Sequence, residues 1–447
     1  MKKVITYGTY DLLHRGHIRL LERAKALGDY LVVGVTADDF DKARGKINVQ
    51  QSLMERIEAV RATGIADEII VEEYEGQKID DIQRYGIDIF TVGSDWKGHF
   101  DYLKDYCDVV YLDRTKGISS SELRSSDRLV RLGLVGDSTI INKFERESHF
   151  VNGIQISGVC TNNSASFNSE VRSLPMITED LSELLAESDA VYVVSPPQLH
   201  YSQILQALEC GVHVLCESPV AIEEEQWKQL VKTAEGHHCI LMDSIKTAYS
   251  MAYYRMLLMV KSGAIGKVVS VDSVCTSMNS NIQDRPINTN LVWNSICAWG
   301  PTALLPIFQL LGTEYVRKDI ISRLYEKDSC YDLFTKVSFV FKNAMASIKV
   351  GQGAKSEGEL IISGTKGYIY VPAPWWKTDY FEIRYENPSE NKRYFYQLDG
   401  EGIRYEMVMF LKSIKEGKPS PYLDETISLS IIRVIEDFYK ERDFTII

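Results

Sequence analysis

The pattern of apolar residues changes twice along the chain, and these changes limit its possible folds more than any other feature. Over the first 126 residues, short apolar runs such as 3–7, 30–36 and 68–72 alternate with amphipathic segments such as 15–27. Strands that alternate with helices are typical of a parallel α/β sheet. We therefore predict one α/β domain over residues 1–126.

A second α/β unit starts near residue 127, and the pattern changes again near residue 250. Between these points the sequence predicts short strands at 129–135, 154–160, 190–194 and 211–216. Beyond residue 250 it predicts longer strands with alternating polarity at 268–276, 333–341, 344–350, 359–363 and 368–371, and helices at 405–415 and 423–439. The alternation indicates an α/β domain over 251–447 with a large open, mainly antiparallel sheet, after an α/β domain over 127–250.

Composition argues against several classes of function. A net charge of −12 over 447 residues makes nucleic acid an unlikely general partner, because proteins that bind it carry a basic face. No run of 18 apolar residues occurs, so we expect no membrane insertion. The eight cysteines include no C-x-x-C pair, so we expect reduced thiols in the cytoplasm, without disulfides or a zinc site.

The strongest local signal is the segment from Gly8 to His17, which links a predicted strand to a predicted helix. Free N–H groups at a helix start bind anions, and Gly16 leaves room for a phosphate near the backbone. His14 and His17 are three residues apart, so one helical turn brings both imidazoles to the same side. There they can donate hydrogen bonds to a triphosphate in a transition state. Structural histidines and a metal-binding H-x-x-H pair are the alternatives.

Two basic segments extend this phosphate-binding pattern. Residues 114–121 read Arg-Thr-Lys-Gly-Ile-Ser-Ser-Ser after a predicted strand, which predicts a second helix start that binds phosphate. Ser119 would also serve as an ordinary helix cap. The basic segment 42–46 contains Lys46, a candidate phosphate ligand, for which a solvated charged loop is the alternative.

Together these segments resemble the glycerol-3-phosphate cytidylyltransferases of the H-x-G-H nucleotidyltransferase superfamily. The resemblance runs through residues 1–9, 28–33, 93–96 and 114–121, and it covers the whole first domain. It implies a Rossmann-like nucleotidyltransferase domain that converts CTP and sn-glycerol 3-phosphate to CDP-glycerol and pyrophosphate. The acceptor phosphate would attack the α-phosphorus in line, without a protein nucleophile, and Mg²⁺ would accompany CTP.

The resemblance also implies roles for individual residues. His14, His17, Lys46 and Arg114 would be catalytic, because they would stabilise charge on the triphosphate. A second set would bind the nucleotide or the acceptor: Gly8, Thr9, Tyr10, Asp11, Gly16, Arg56, Asp95, Trp96, Thr115, Ile118, Ser119 and Ser120. Trp96 is equally suited to the core. We expect few protein ligands to the metal and name none.

Two departures from the family pattern concern contacts to the acceptor and to the nucleotide. The family usually carries an arginine shortly before a Val-Asp-Glu stretch, whereas Gly64 stands at that position here, with Arg61 three residues earlier. Ser94 also replaces a usual acid before Asp95 and Trp96. The reaction type is therefore better supported than the identity of the polyol phosphate.

Residues 128–447 resemble the glucose–fructose oxidoreductase/inositol dehydrogenase family, through segments 190–200 and 211–219. This resemblance implies a second Rossmann domain, followed by an α/β domain with a large open sheet. We interpret the positions that would surround a dinucleotide as vestigial: Gly136, Ser195, Pro196, His200, Glu217 and Pro219.

The residues that carry the chemistry of that second family are replaced. In the loop 136–141 only the first glycine remains, and Asp137 adds a negative charge near the expected pyrophosphate. Ser218 and Thr302 stand where the family has its lysine and histidine, and no histidine follows His238. Hydride transfer to a carbonyl needs a proton donor, so we predict a non-redox second half without NAD(P).

The sequence thus predicts a cytoplasmic glycerol-phosphate cytidylyltransferase fused to a pseudo-dehydrogenase. Its partners would be CTP and a glycerol phosphate. Family precedent implies a homodimer, whose product would supply teichoic-acid-like or capsule polymers. One alternative is a bifunctional enzyme whose second half reduces a keto-phosphate to supply the polyol phosphate. The others are a nucleotide sensor, an adenylyltransferase and a CDP-polyol synthase for another acceptor.

Overall fold

The computed structural model describes residues 1–37, 49, 51, 53–72, 77–113, 129–151, 153–278, 293–326, 329–396 and 398–447. The chain divides into two compact units, unit 1 from Met1 to Arg128 and unit 2 from Leu129 to Ile447. Within the described ranges, no helix is both long enough and apolar enough to cross a membrane.

Unit 1 is built on a sheet of five parallel strands in the order β3-β2-β1-β4-β5, which confirms the predicted parallel α/β class. The strands are β1 Lys3–Gly8, β2 Tyr30–Thr36, β3 Glu68–Glu72, β4 Ile89–Gly93 and β5 Asp108–Leu112. The helices described in this unit are α1 Arg15–Lys25, α2 Leu53–Ala62 and α3 Gln77–Tyr85.

Each face of this sheet has its own apolar core. Successive residues of β1 point to opposite faces, so Val4 packs with residues of α1 and α2, whereas Ile5 packs with Ile82 of α3. The strand order reverses beside β1, with β2 on one side and β4 on the other. Open α/β sheets bind their ligands at the carboxyl ends of the strands at such a reversal, so this crevice is the expected site.

Unit 2 begins with a parallel six-stranded sheet of order β11-β10-β9-β6-β7-β8. Its strands are β6 Val130–Val135, β7 Ile154–Cys160, β8 Ile177–Thr178, β9 Ala190–Val193, β10 His213–Glu217 and β11 Leu241–Ser244. The accompanying helices are α4 Ile140–Ser148, α5 Ser169–Arg172, α6 Leu181–Ala186, α7 Pro197–Glu209 and α8 Glu224–Gly236. This arrangement has the order of a second Rossmann domain, as predicted.

A nine-stranded sheet of order β19-β18-β17-β16-β12-β15-β14-β13-β20 follows. Its neighbouring strands are antiparallel except for the pairs β12–β15 and β13–β20, so the predicted mainly antiparallel sheet is confirmed. The strands are β12 Val268–Thr276, β13 Arg317–Leu324, β14 Asp332–Val340, β15 Met345–Gly351, β16 Leu360–Gly364, β17 Gly367–Val371, β18 Tyr380–Tyr385, β19 Lys392–Phe395 and β20 Phe444–Ile446. The helices are α9 Met251–Lys261, α10 Ser295–Leu311, α11 Ile403–Glu416 and α12 Glu425–Tyr439.

Candidate active site

The chain leaves β1 at Gly8 and makes a strained turn before α1 begins. Tyr10 and Leu12 have positive φ angles of 54° and 47°, a conformation that costs non-glycine residues free energy. The ring of Tyr10 folds back over Gly8, where an added Cβ would lie 3.0 Å from Tyr10 Cζ. A side chain at position 8 would be in tight contact with the Tyr10 ring, so glycine suits this turn, which brings the following residues to the carboxyl end of the sheet.

His14 is the residue that caps α1. The backbone N–H of Gly16 donates to His14 Nδ1 at 3.0 Å, so one of the helix-start N–H groups is satisfied by the ring. A ring nitrogen that accepts a hydrogen bond carries no proton, so the proton of a neutral His14 is on Nε2. The cap therefore makes His14 Nε2 a hydrogen-bond donor at the start of α1.

The two histidines of the motif are brought together. Their rings stack with centroids 4.0 Å apart and an angle of 18° between their planes. The ring of Tyr10 meets His17 edge-on, with the centroids 5.6 Å apart. The arrangement places both imidazoles at the anion-binding end of α1, as their spacing predicts.

Arg56 lies beneath this segment. Its side chain is fully buried, and its guanidinium donates to the backbone oxygens of Thr9 at 2.7 Å and Thr36 at 2.8 Å. It also donates to the backbone oxygen of Gln51 at 3.1 Å. Gln51 in turn bonds the histidine segment, because its N–H donates to Asp11 Oδ1 at 3.0 Å. Arg56 thus joins the ends of β1 and β2, and contact with a phosphate stays a prediction for this residue.

A pocket of about 310 Å³, with its open mouth included, lies at the carboxyl ends of β1, β2 and β4. Gly8, Thr36 and Lys78 contribute to its lining, and its other walls are mainly aromatic and apolar: Tyr7, Phe90, Val92, Trp96 and Phe100. The sequence reasoning assigned no role to Lys78. A lysine one turn before the core residue Ile82 on α3 is the signal that points to it.

Buried acids surround this pocket on the side of α3. Glu72 is fully buried and forms an ion pair with Lys78, and its Oε2 accepts from Thr36 Oγ1 at 2.9 Å. Tyr7 OH donates to Asp81 Oδ2 at 2.8 Å. Burial and the negative charge of Asp81 raise the pKa of Tyr7 well above its usual range, so the phenol remains a donor. Glu72 and Asp81 are therefore both held by side chains that line the pocket.

The remaining predicted residues of unit 1 fall into two groups. Trp96 lines the pocket, and the backbone of Asp95 lies in the short 3₁₀ turn Ser94–Trp96. The second group lies outside the described residues: Lys46, Arg114, Thr115, Ile118, Ser119 and Ser120. Within the described ranges, no set of three or more histidine, cysteine, aspartate or glutamate side chains forms a metal site.

In unit 2, Asp137 connects the loop after β6, where a Rossmann domain would bind the dinucleotide, to the end of β7. Its Oδ1 accepts from Thr161 Oγ1 at 2.6 Å and from the N–H of Asn162 at 2.9 Å, at the end of β7. Burial and the negative charges of Asp180, Asp137 and Glu179 raise the pKa of Cys160 to about 11. The end of β7, where the family resemblance would place a dinucleotide ribose, thus lies beside the carboxylate of Asp137.

Two further buried carboxyl groups of unit 2 lie on β11 and α11. Burial raises the pKa of Asp243 to about 6, and burial together with the charge of Glu217 raises that of Glu406 to about 8. Ser244 Oγ donates to Glu406 Oε2 at 2.7 Å, but no donor among the described residues reaches Glu406 Oε1. Ser218, which replaces the family lysine, brings no positive charge to this cluster.

The other positions predicted to be vestigial make contacts within the protein. His200 is fully buried, with Nδ1 at 2.8 Å from the backbone oxygen of Pro219 and Nε2 at 2.7 Å from that of Ser195. Burial lowers the pKa of His200 to about 4, and a neutral ring has a single N–H, so it donates to one of these two carbonyl oxygens, in the turns after β9 and β10. Pro196 precedes α7, and Glu217 accepts from the hydroxyl of Tyr192. Gly136 has a φ of 129° and no space for a Cβ, which would lie 2.8 Å from the nitrogen of Ser195.

Known proteins match the two units separately. Residues 5–126 match a family described as cytidylyltransferase-like, and residues 130–244 match an oxidoreductase family with an NAD-binding Rossmann fold. The glycerol-3-phosphate cytidylyltransferase of Bacillus spizizenii is 51% identical over 124 residues, which are 28% of this chain and 95% of that protein. The enzyme of the same name from Bacillus subtilis is 52% identical over 124 residues, with the same two shares.

Solved structures resemble the larger part of the chain. A 3-ketoreductase from Actinomadura kijaniata, crystallised with NADP and TDP-benzene, superposes with a TM-score of 0.62 at 16% identity. The superposition covers 72% of this chain and 99% of that one, and at this identity it shows the fold alone. Through its first 126 residues, the chain therefore belongs to the glycerol-3-phosphate cytidylyltransferase family, and it continues into a unit with an oxidoreductase fold.

Proposed function

We propose that unit 1 transfers the cytidylyl group of CTP to glycerol 3-phosphate, forming CDP-glycerol and pyrophosphate. The observation that carries this proposal is the cap of α1, in which Gly16 N–H donates to His14 Nδ1 at 3.0 Å and leaves the ring proton on Nε2. A fixed N–H donor at a helix start suits triphosphate oxygens, which gain charge as the leaving group departs. The relatives named above support CTP and a glycerol phosphate as the substrates.

The reaction needs no protein nucleophile. An oxygen of the acceptor phosphate forms a bond to the α-phosphorus, and the bond from that phosphorus to the bridging oxygen of the β-phosphate breaks. The electron pair of the broken bond leaves with pyrophosphate. The stacked rings of His14 and His17 would stabilise the phosphate charge, while Lys46, Arg114 and Ser119 keep their predicted roles around the triphosphate. Mg²⁺ enters with CTP and offsets part of the triphosphate charge.

We place the acceptor in the pocket between β1 and β4. Gly8 lines this pocket and leads directly into the histidine segment, so an acceptor there is next to the triphosphate. Lys78 supplies a positive charge for the acceptor phosphate, and an ammonium among apolar walls attracts an anion more strongly than one in water. The aromatic walls offer few hydrogen bonds to a long polyol, which favours a glycerol phosphate.

Unit 2 is proposed to act without a dinucleotide. In the loop after β6, Asp137 would place a carboxylate close to the expected pyrophosphate of a dinucleotide, which disfavours dinucleotide binding. Ser218 and Thr302 supply neither the lysine nor the histidine that the family resemblance implies. A structural role, such as homodimerisation or docking of another enzyme, fits unit 2 better than hydride transfer.

The remaining proposals concern the setting of the reaction. All eight cysteines are free thiols, which supports a reducing compartment such as the cytoplasm. The product, a nucleotide-activated glycerol phosphate, is suited to a transferase that builds glycerol-phosphate polymers such as teichoic acids or capsules. A homodimer rests on family precedent.

The test is pyrophosphate release from CTP and Mg²⁺ by the full chain, with a panel of acceptors, each with and without NAD(P)H. The panel contains glycerol 3-phosphate, glycerol 2-phosphate, ribitol 5-phosphate and dihydroxyacetone phosphate, and ATP replaces CTP in a parallel series. Release with CTP and glycerol 3-phosphate that is indifferent to NAD(P)H supports the proposal. Release with dihydroxyacetone phosphate only while NAD(P)H is oxidised would show a bifunctional enzyme instead.

A further inference from the structure

Lys78 is a positive charge inside a largely apolar wall. Only 8% of its side chain is exposed, and its ammonium lies 4.7 Å from the ring centre of Tyr7 and 5.4 Å from that of Phe100. Placing an ammonium in such surroundings is unfavourable unless other groups compensate its charge. Ring faces contribute a part of this compensation, because their electron density attracts a cation.

Glu72 also compensates this charge. This carboxylate is the last residue of β3, is fully buried, and forms an ion pair with the Lys78 ammonium. Its other oxygen accepts the hydroxyl of Thr36, the last residue of β2, at 2.9 Å. The ammonium is therefore held at the ends of two strands by a carboxylate that is itself held in place.

We propose that Glu72 is a positioning residue for the acceptor phosphate: it acts through Lys78, and Thr36 fixes its orientation. The inference rests on the proposed function. In it, the linked side chains of Thr36, Glu72 and Lys78 together present one ammonium to the acceptor. Glu72 itself does not touch the substrate. This arrangement predicts a larger effect on acceptor binding than on CTP binding, because Glu72 forms an ion pair with Lys78 in the acceptor pocket, whereas the hydrogen bonds that hold the histidine segment run through Gly16 and Gln51.

Charge counting alone gives the opposite expectation. Glu72 is negative, so its removal would strengthen the attraction of the pocket for a phosphate if Lys78 stayed in place and stayed charged. However, removing one partner of a buried ion pair leaves an uncompensated charge, which costs much more than an intact pair contributes. We therefore expect the ammonium of a Glu72→Gln variant to leave the wall or lose its proton, so that acceptor binding weakens.

The experiment is steady-state kinetics of the full chain, with KM measured separately for glycerol 3-phosphate and CTP. We expect Glu72→Gln to raise the KM for glycerol 3-phosphate about tenfold or more, the factor typical of one lost charge-assisted hydrogen bond, and to change the KM for CTP less than about twofold. Thr36→Val should shift the same KM in the same direction but less, and Thr36→Ser, which keeps the hydroxyl, should restore it. Glu58→Gln, at an exposed ion pair with Arg61 in the same unit, is the matched control and should change neither KM.

The outcomes separate the two proposals. A folded Glu72→Gln variant with an unchanged or lower KM for glycerol 3-phosphate, or with both KM values raised equally, would overturn the role of Glu72. If Glu72→Gln does not fold, the Thr36→Val and Thr36→Ser pair decides, and equal KM values in the two variants would overturn it. If the wild-type chain forms no CDP-glycerol at all, the proposed function fails first.

Discussion

The buried carboxyl of Glu406 gives unit 2 a pH dependence that a single substitution should remove. Its side chain is fully buried, and burial with the nearby charge of Glu217 raises its pKa from 4.5 to about 8. The folded chain therefore retains this proton to a higher pH than the unfolded chain does. The stability that the proton confers is complete below about pH 4.5 and is lost as the pH rises to 8 and beyond.

The size of the effect follows from the two pKa values. Each pH unit between them costs the folded state about 1.4 kcal/mol, so the cost above pH 8 is at most about 5 kcal/mol. Glu406→Gln has no charge to lose and can still accept from Ser244. We expect this variant to match the wild type at pH 5 and to exceed it by about 4 kcal/mol at pH 9, which is about 6 °C in Tm for a unit of this size.

The assay is thermal unfolding of the full chain at pH 5, 7 and 9, followed by tryptophan fluorescence. Five of the six tryptophans lie in unit 2, so this signal reports mainly on that unit. Glu416→Gln is the matched control, because Glu416 is an exposed residue of the same helix and pairs with Lys412 at 3.8 Å. A gap between Glu406→Gln and the wild type that is equal at pH 5 and pH 9 would refute the reasoning, and so would a variant that is less stable at pH 9.

Three further predictions concern the sites. His14→Asn keeps a good helix cap but removes the imidazole. Its Tm should therefore stay close to that of the wild type, while kcat falls at least about a hundredfold. His14→Ala removes the cap as well and should also lose about 1 kcal/mol of stability in urea unfolding. Arg56→Met removes the group that donates to the carbonyls of Thr9 and Thr36. We expect the free energy of unfolding, measured in urea, to fall by about 3 kcal/mol. The exposed control Arg61→Met should change it by no more than about 0.5 kcal/mol. NADH and NADPH should show no binding to the full chain in equilibrium dialysis at concentrations below about 1 mM, and a micromolar Kd would contradict the proposal that unit 2 acts without a dinucleotide.

Much of the fold could be predicted because local periodicity and burial agree in the parallel sheets. The strands Tyr30–Thr36 and Ile154–Cys160 begin and end where the apolar runs predict. The helix Ser295–Leu311 was not predicted, because it contains Pro301 and Pro306 and is buried on several sides, so it shows neither helix propensity nor a single apolar face.

The candidate site was predictable only where its contacts are local. His14 and His17 are one helical turn apart, so their stacking follows from sequence spacing. The pair of Glu72 and Lys78 connects a strand end to a helix across a segment whose geometry the sequence does not specify. The family resemblance assigns Arg56 to nucleotide or acceptor binding, whereas its buried partners are backbone oxygens that no residue pattern reveals.

The most direct test of the account is to identify and count the products of the full chain. The chain is incubated with CTP, Mg²⁺ and sn-glycerol 3-phosphate carrying ¹⁸O in its phosphate, and the products are measured by chromatography with mass spectrometry. We predict CDP-glycerol and pyrophosphate in equal amounts, with the acceptor's ¹⁸O retained at the new bridge to the α-phosphorus, and a loss of at least about a hundredfold in His17→Ala. Pyrophosphate without CDP-glycerol, or equal product from His17→Ala, would contradict direct cytidylyl transfer at the histidine pair.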